Sequence, residues 1–195
     1  MSNNKTIFND AAKGWNKNIP KINYEIAYSI IEKFNIGYNC SVLDVACGTG
    51  IIYSILKDKN LSGYIGVDIS SNMIKEFLLK YPNVDVRQMD FESKVFFEKQ
   101  FDYIIIFNSI PHFTDLNAVF ENAYNNLNSG GTFIIAHSKT REGLREHHRK
   151  IGYVSDKKDP IPSDIMLQDL SEEYGFSYAF IQDEEYFSFS CKKIV

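Results

Sequence analysis

The chain has 195 residues, with 21 Lys and Arg against 25 Asp and Glu for a formal net charge of −4, and is 44% hydrophobic and 24% charged. That balance excludes a disordered or fibrous chain, supplies enough apolar side chains for one core without staples, and disfavours a protein that wraps nucleic-acid phosphates over a broad basic face. Three cysteines, Cys40, Cys47 and Cys191, without CxxC spacing argue against a disulfide framework and a thiolate zinc site, and no stretch reaches the roughly 18 apolar residues of a membrane span.

The first residues, Met1 to about Ile19, are polar and aromatic and carry no basic-then-apolar leader, so a cytoplasmic chain is expected. "INYEIAYSIIEKF" places Ile22, Ile26, Ile30 and Phe34 near helical spacing after Pro20. "VLDVA" reads as a strand, "IIYSILKDK" as a helix and "GYIGVD" as a second strand. The next helix, "SSNMIKEFLLKY", takes Ser70 or Ser71 as N-cap and ends before Pro82. "VDVRQM" reads as a third strand. "FDYIIIFN" is the clearest strand, because Ile104 to Phe107 form an unbroken apolar run. A helix through "LNAVFENAYNNL", a turn at Ser129-Gly130-Gly131 and the strand "TFIIAHS" follow. After "TREGLREHHRK" and "DIMLQDLSEEYG", both helical, "SYAFIQDEEYFSFSCKKI" reads as two strands joined at Gln182 to Glu185. Strands alternating with helices predict an α/β fold: a doubly wound, Rossmann-like, mostly parallel seven-stranded sheet closed by an antiparallel C-terminal hairpin. One domain spanning 1–195 is expected, with 1–35 as an N-terminal cap and helix and 139–162 as a substrate-lid insertion, since long segments outside the alternation of a compact α/β chain often carry function.

The corner "SVLDVACGTG" runs from an apolar strand into an acid and two glycines. A P-loop requires Lys-Ser/Thr after its last glycine, and none follows. A dinucleotide loop requires G-x-G-x-x-G, but Tyr53 stands at the third glycine position, and Asp44 would add negative charge beside a pyrophosphate. An acid there suits a cationic ligand instead. "VLDVACGTG" resembles the first motif, D/E-x-x-x-G-x-G, of the class I S-adenosylmethionine-dependent methyltransferases, whose cofactor has a sulfonium and an ammonium but no phosphate. The resemblance extends in order through "IGVDIS", "RQMDFE", "FDYIIIFNSIPHF" and "LNSGGTFIIAHS", from about Asn9 to Ser138.

The resemblance implies S-adenosyl-L-methionine as cofactor, with Asp44, Ala46, Gly48 and Gly50 around its amino-acid part. It further implies Asp68 and Ile69 at the ribose, where an acid accepts from two hydroxyls, Asp90 and Phe91 at the adenine, and Asn108 after the fourth strand. Asp68 could instead cap the following helix, and Asp90-Phe91 could be a loop and a core residue. Methyl transfer needs alignment and, for an acceptor bearing a proton, its removal. His112 is the candidate base because imidazole titrates near neutrality; it could equally pack and hydrogen-bond at the loop. His137, ending the fifth strand, is a second catalytic candidate that would orient substrate. Arg141, Arg145 and His148 share one helix face and could bind an acceptor carboxylate or phosphate, or belong to a solvated helix with internal ion pairs. His147-His148 lacks a metal-ligand pattern, so no metal is expected. The resemblance further implies a cap over the cofactor at Phe8, Trp15 and Tyr24, with Trp15 as a substrate contact that helps exclude water; a simple core anchor is equally compatible with the sequence.

The expected function is methyl transfer to O, N or S of a small molecule, with no membrane partner and nucleic acid disfavoured. An RNA- or protein-directed methyltransferase, and a non-catalytic cofactor-binding regulatory module, are the alternatives. The sequence contains no N/D-P-P-Y/F after the fourth strand, where "NSIPHF" stands.

Overall fold

Apolar residues that alternate along a strand need a covering layer on each side of the sheet. The computed structural model describes residues 3–152 and 159–195, and there each face finds its layer. In chain order the elements are α1 (Asn3–Ala11), a 3-10 turn (Trp15–Asn18), α2 (Lys21–Lys33), β1 (Ser41–Val45), α3 (Ile51–Leu56), β2 (Gly63–Asp68) and α4 (Ser71–Lys80). Next come β3 (Val86–Gln88), β4 (Phe101–Phe107), a 3-10 turn (Ile110–His112), α5 (Leu116–Asn126), β5 (Leu127–His137), α6 (Arg141–Lys150), α7 (Asp164–Glu173), β6 (Phe176–Asp183) and β7 (Phe187–Lys193).

The seven strands are ordered β3-β2-β1-β4-β5-β7-β6. β1 pairs in parallel with β2 and β4, β3 with β2, and β5 with β4, while β7 runs antiparallel to both β5 and β6. This is the expected fold class. Period-two burial separates the faces. Ile104, Ile106, Phe133 and Ile135 pack into one cluster with Phe120 of α5 and Leu167 and Leu170 of α7. Ile105, Phe107, Ile134 and Ala136 pack into the other, against Ile26, Ile30 and Ile31 of α2 and Ile52 of α3. The strand order reverses between β1 and β4, which opens a crevice at their carboxyl ends, the usual ligand site in such sheets.

The segment Met1 to Ile19 holds α1 and the 3-10 turn, residues 1–2 being outside the described ones, and two features differ from the sequence expectation. The turn expected at Ser129-Gly130-Gly131 is part of β5, whose pairing starts at Leu127 opposite Phe101 and shifts register before Thr132 pairs with Tyr103. Gly131 fits there because a Cβ would lie 2.8 Å from the Asn128 carbonyl oxygen and 3.0 Å from that of Phe101. Gln182, expected in the hairpin turn, instead pairs with Ser188 within the β6–β7 ladder. Within the 139–162 segment, α6 and the residues from 159 onward are described, and 153–158 lie outside the described residues. No helix among the described residues is long and apolar enough to cross a membrane.

Candidate functional site

β1 ends in a loop that bends sharply. Ala46, Gly48 and Gly50 all adopt positive φ, at 56°, 53° and 89°, the left-handed region in which a Cβ is penalised. Gly48 lines the crevice, and a Cβ built on it would meet nothing within 4 Å, so its backbone is open to a ligand. Gly50 has a different reason: it is the N-cap of α3, and a Cβ there would lie 2.7 Å from the Phe77 ring. Gly50 therefore sits outside the cavity lining and sets packing between α3 and α4.

Asp68 ties the corner together. One carboxylate oxygen accepts from the Gly48 N–H at 2.9 Å, the other from the Ser70 N–H at 2.8 Å. Burial raises its pKa, and the hydrogen bonds from Ser70 and Gly48 oppose that rise. The side chain is 7% exposed, and that exposure is toward the cavity. Ser70 is the N-cap of α4, accepting from the Met73 N–H, which settles the choice between Ser70 and Ser71. Asp44 lies deeper, 2% exposed, and accepts from the Tyr64 hydroxyl at 2.7 Å. Burial pushes its carboxyl up to about 7 despite that hydrogen bond, and Asp68 adds repulsion. It does not line the cavity.

A cavity partly open to solvent lies against this corner. β1, β2 and β3 contribute Ala46, Gly48, Asp68, Ile69, Asp90 and Phe91 along one side. Asp90 is half-buried, with Oδ1 accepting from the Glu92 N–H at 3.0 Å, while Phe91 is buried in the core at 3% exposure. The end of β4 contributes Phe107, Asn108, Ser109, His112 and Phe113. Asn108, also at positive φ, accepts from the Ser138 N–H at 2.7 Å and so bridges the ends of β4 and β5. His112 packs edge-on against Phe8, with ring centroids 4.8 Å apart.

The N-terminal segment reaches this cavity through Phe8, Trp15, Ile19 and Asn23. Two polar latches hold it there. Asn9 accepts from the Ser70 hydroxyl at 2.7 Å and from the Asn72 N–H at 3.2 Å, and Asn16 accepts from the Thr49 hydroxyl at 2.6 Å. Trp15 is 40% exposed and Tyr24 lies outside the lining. Sequence reasoning missed Asn9, Asn16, Asn23, Thr49 and Tyr64, because these polar residues have no local pattern and their partners are remote in the chain. Glu92 was also missed. It accepts from the Thr114 and Asp115 N–H groups and the Thr114 hydroxyl, fixing the loop before α5.

The remaining expected site residues sit elsewhere. His137 is 7% exposed; its Nδ1 accepts from the Lys139 N–H at 3.0 Å, and burial lowers its pKa to about 4, so the ring is neutral near pH 7. It does not line the cavity. Arg141 is a clamp. Its Nε and Nη2 donate to the Pro162 carbonyl at 3.0 and 2.6 Å, and it pairs with Asp164 at 2.8 Å and Asp183 at 3.1 Å. Its guanidinium also lies 4.5 Å from the Phe187 ring centroid. Arg145 is paired with Glu142 and Asp159 at 2.8 and 2.9 Å. His148 is half-buried outside the cavity, its pKa lowered by burial and by His147. The helix that was to present cations to an acceptor anion thus spends its two leading arginines on the chain's own carboxylates.

Among known proteins, residues 36–172 match a family model described as a methyltransferase domain. Protein 235L of Invertebrate iridescent virus 6 is 30% identical over 129 residues, 62% of this chain and 47% of that protein. Phosphoethanolamine N-methyltransferase 1 of Zea mays is 27% identical over 168 residues, 82% of this chain and 32% of that protein. The chain therefore spans less than half the length of these two relatives. In solved structures, magnesium protoporphyrin IX methyltransferase of Synechocystis PCC 6803 with bound SAH superposes with a TM-score of 0.70 at 14% identity, covering 98% of this chain and 100% of that one. At that identity the likeness is one of fold.

Proposed function

The chain belongs to the class I S-adenosylmethionine-dependent methyltransferase family, and from that premise we propose that it methylates O, N or S of a small molecule held in the cavity between the sheet and the N-terminal segment. The observation that carries this reading is the cavity at the β1/β4 reversal. The chain itself, through Phe8 and Trp15 of the N-terminal segment, supplies part of its wall, which suits a small ligand held beside a cofactor.

The residues present fit the cofactor. The open Gly48 backbone suits the amino-acid end, the preset carboxylate of Asp68 suits a ribose diol, and Asp90 with Ile69 and Phe91 suits the adenine. Asp44, one layer below, gives the corner negative charge when ionised. When bound, S-adenosylmethionine supplies a methyl carbon already activated by the sulfonium, and the electron pair of the breaking bond stays on sulfur, so no nucleophilic side chain is needed. His112 takes the acceptor's proton, and Phe8, packed on its ring, limits its rotation. Trp15 and Phe113 keep water from the reacting atoms. Asn108, oriented by Ser138, sits where β4 ends and fixes the floor between the two ligands.

The name of one relative, a phosphoethanolamine N-methyltransferase, supports a small-molecule acceptor without fixing its chemistry. Engagement of Arg141 and Arg145 in ion pairs weighs against an RNA-directed role for α6. Titration calorimetry with S-adenosylmethionine, with NADH as control, followed by a metabolite screen for labelled methyl transfer, tests the reading. Binding of NADH instead, or cofactor binding without turnover on any small acceptor, would count against it.

A further inference from the structure

Beneath the glycine loop a buried carboxyl meets a tyrosine. Side chains alternate along a strand, so Tyr64, Gly66 and Asp68 share one face of β2, where Tyr64 pairs with Val42 and Gly66 with Asp44. Gly66 presents no side chain, and a Cβ on it would lie 2.9 Å from Val86 Cγ1 and 3.0 Å from Cys47 Sγ. The Tyr64 hydroxyl thus reaches two residues further along β1 and donates to Asp44 Oδ2 at 2.7 Å. Its ring is held by Tyr53 of α3 and Phe77 of α4, with centroids 4.8 and 6.5 Å away. Asp44 is only 2% exposed, yet no donor among the described residues reaches its Oδ1. Among these residues no fully buried polar atom lacks a partner, so the residual exposure includes that oxygen. A buried carboxylate oxygen without a donor calls for one from outside the chain. The next residues, Val45 and Ala46, line the cavity.

Resting on the cofactor reading above, we infer that Tyr64 is a positioning residue for cofactor binding: its hydroxyl holds Asp44 as a carboxylate beneath the glycine loop, so that affinity for the ammonium-bearing end of the cofactor, and not for its adenosine end, follows the charge of Asp44. A hydroxyl that donates to a carboxylate favours the charged form, and its loss favours the neutral acid. The charge lies one residue behind the cavity wall, where burial keeps its attraction for an ammonium unscreened. The groups packed around Asp44 leave it as the one that changes charge near neutrality. Burial holds the Tyr64 hydroxyl and the Cys47 thiol well above their usual values, so both stay protonated. Asp68, also raised by burial, adds repulsion from β2, and β4 places apolar Ile105 opposite. Asp44 itself is pushed up to about 7 by burial, against the pull of Tyr64.

Two ligands test this on the full chain by calorimetry between pH 5.5 and pH 8: S-adenosylhomocysteine, which carries the ammonium, and methylthioadenosine, which keeps the adenosine and thioether but has no amino-acid end. In the native protein the preference for S-adenosylhomocysteine is expected to rise at least about fivefold over this range. In Tyr64→Phe the rise is expected about one pH unit later, so that the preference at pH 7 falls about three- to tenfold. In Asp44→Asn it is expected to be flat, which separates Asp44 from His112. At any one pH, methylthioadenosine should bind the three proteins within about twofold of one another. A flat preference in the native protein overturns the inference, as does a Tyr64→Phe curve that coincides with the native one. Equal loss of both ligands in Tyr64→Phe also overturns it, by making the hydroxyl a packing group alone. Tyr64→Met, which likewise lacks the hydroxyl, serves the same comparison if the Phe variant does not fold. Failure of both ligands to bind the native protein is a separate result and strikes the cofactor reading first.

Discussion

Replacing Asp44 by Asn should change how stability depends on pH. The buried Asp44 carboxyl has a pKa of about 7 in the fold, against about 3.9 in an unfolded chain. A carboxyl whose folded pKa is raised favours the protonated form in the native state. Stability is therefore highest below the unfolded value, is lost as pH rises toward 7, and is level above it. The loss is about 1.4 kcal/mol per pH unit, so between pH 5 and pH 8 the native protein should lose about 2–3 kcal/mol relative to Asp44→Asn. With a urea slope of about 2–3 kcal/mol/M that is a midpoint difference near 1 M. His137, buried and neutral with a pKa of about 4, costs both proteins stability in acid alike, so the difference between them reports Asp44. Urea titrations at pH 5, 6, 7 and 8 provide the measurement. Saturating S-adenosylmethionine, whose ammonium favours the carboxylate, should stabilise the native protein more at pH 8 than at pH 5, and the Asn variant equally at both. Parallel stability curves for the two proteins would refute the argument that burial, opposed by the Tyr64 hydroxyl, governs this group.

Asp68→Ala should weaken S-adenosylmethionine binding by at least about tenfold, since it removes the proposed ribose acceptor and also frees the Gly48 and Ser70 N–H groups that it orders; an unchanged calorimetric affinity would reject the role. Ala46→Gly, at φ 56°, should stabilise by about 1 kcal/mol, a Tm rise of about 2–4 °C, by removing a strained Cβ; a fall in Tm would show that the methyl group packs favourably. Trp15 is the chain's one tryptophan and lines the cavity, so its emission should shift on cofactor binding, and Trp15→Phe should abolish the signal. His112→Ala should lower turnover by about 10²–10⁴ at unchanged cofactor affinity, and an unaltered rate would remove it from the mechanism. Arg141→Ala should cost about 1–2 kcal/mol of stability, mostly because it strips the charged donors from the Pro162 carbonyl and little because it unpairs the more exposed Asp164 and Asp183, while leaving cofactor affinity within about twofold; lost acceptor binding without destabilisation would restore its expected anion-binding role.

Local pattern carried the sheet. The unbroken run Ile104 to Phe107 and the glycine corner after Val45 each announce a buried parallel strand and its turn, because period and backbone freedom are properties of a few adjacent residues. The order of the acids Asp44, Asp68 and Asp90 at strand ends was legible for the same reason, and so was the family resemblance. Which of them faces the ligand was not. Asp44 and Asp68 both lie in the last residues of neighbouring strands, yet only Asp68 lines the cavity, while Asp44 points to Tyr64 one strand away. The arginines of α6 look like an anion site along one helix face, but Asp183, 42 residues later in the chain, accepts from Arg141 and helps turn it into a clamp. Asn9 and Asn16 carry no signal in sequence, and they become latches only because α1 docks on the start of α4 and the 3-10 turn docks on the glycine loop. Periodicity is fixed by neighbours in the chain, so the sequence determined the elements and their order; the direction of each polar side chain is fixed by partners far away in the chain, so only tertiary structure decided the charge and lining of the site.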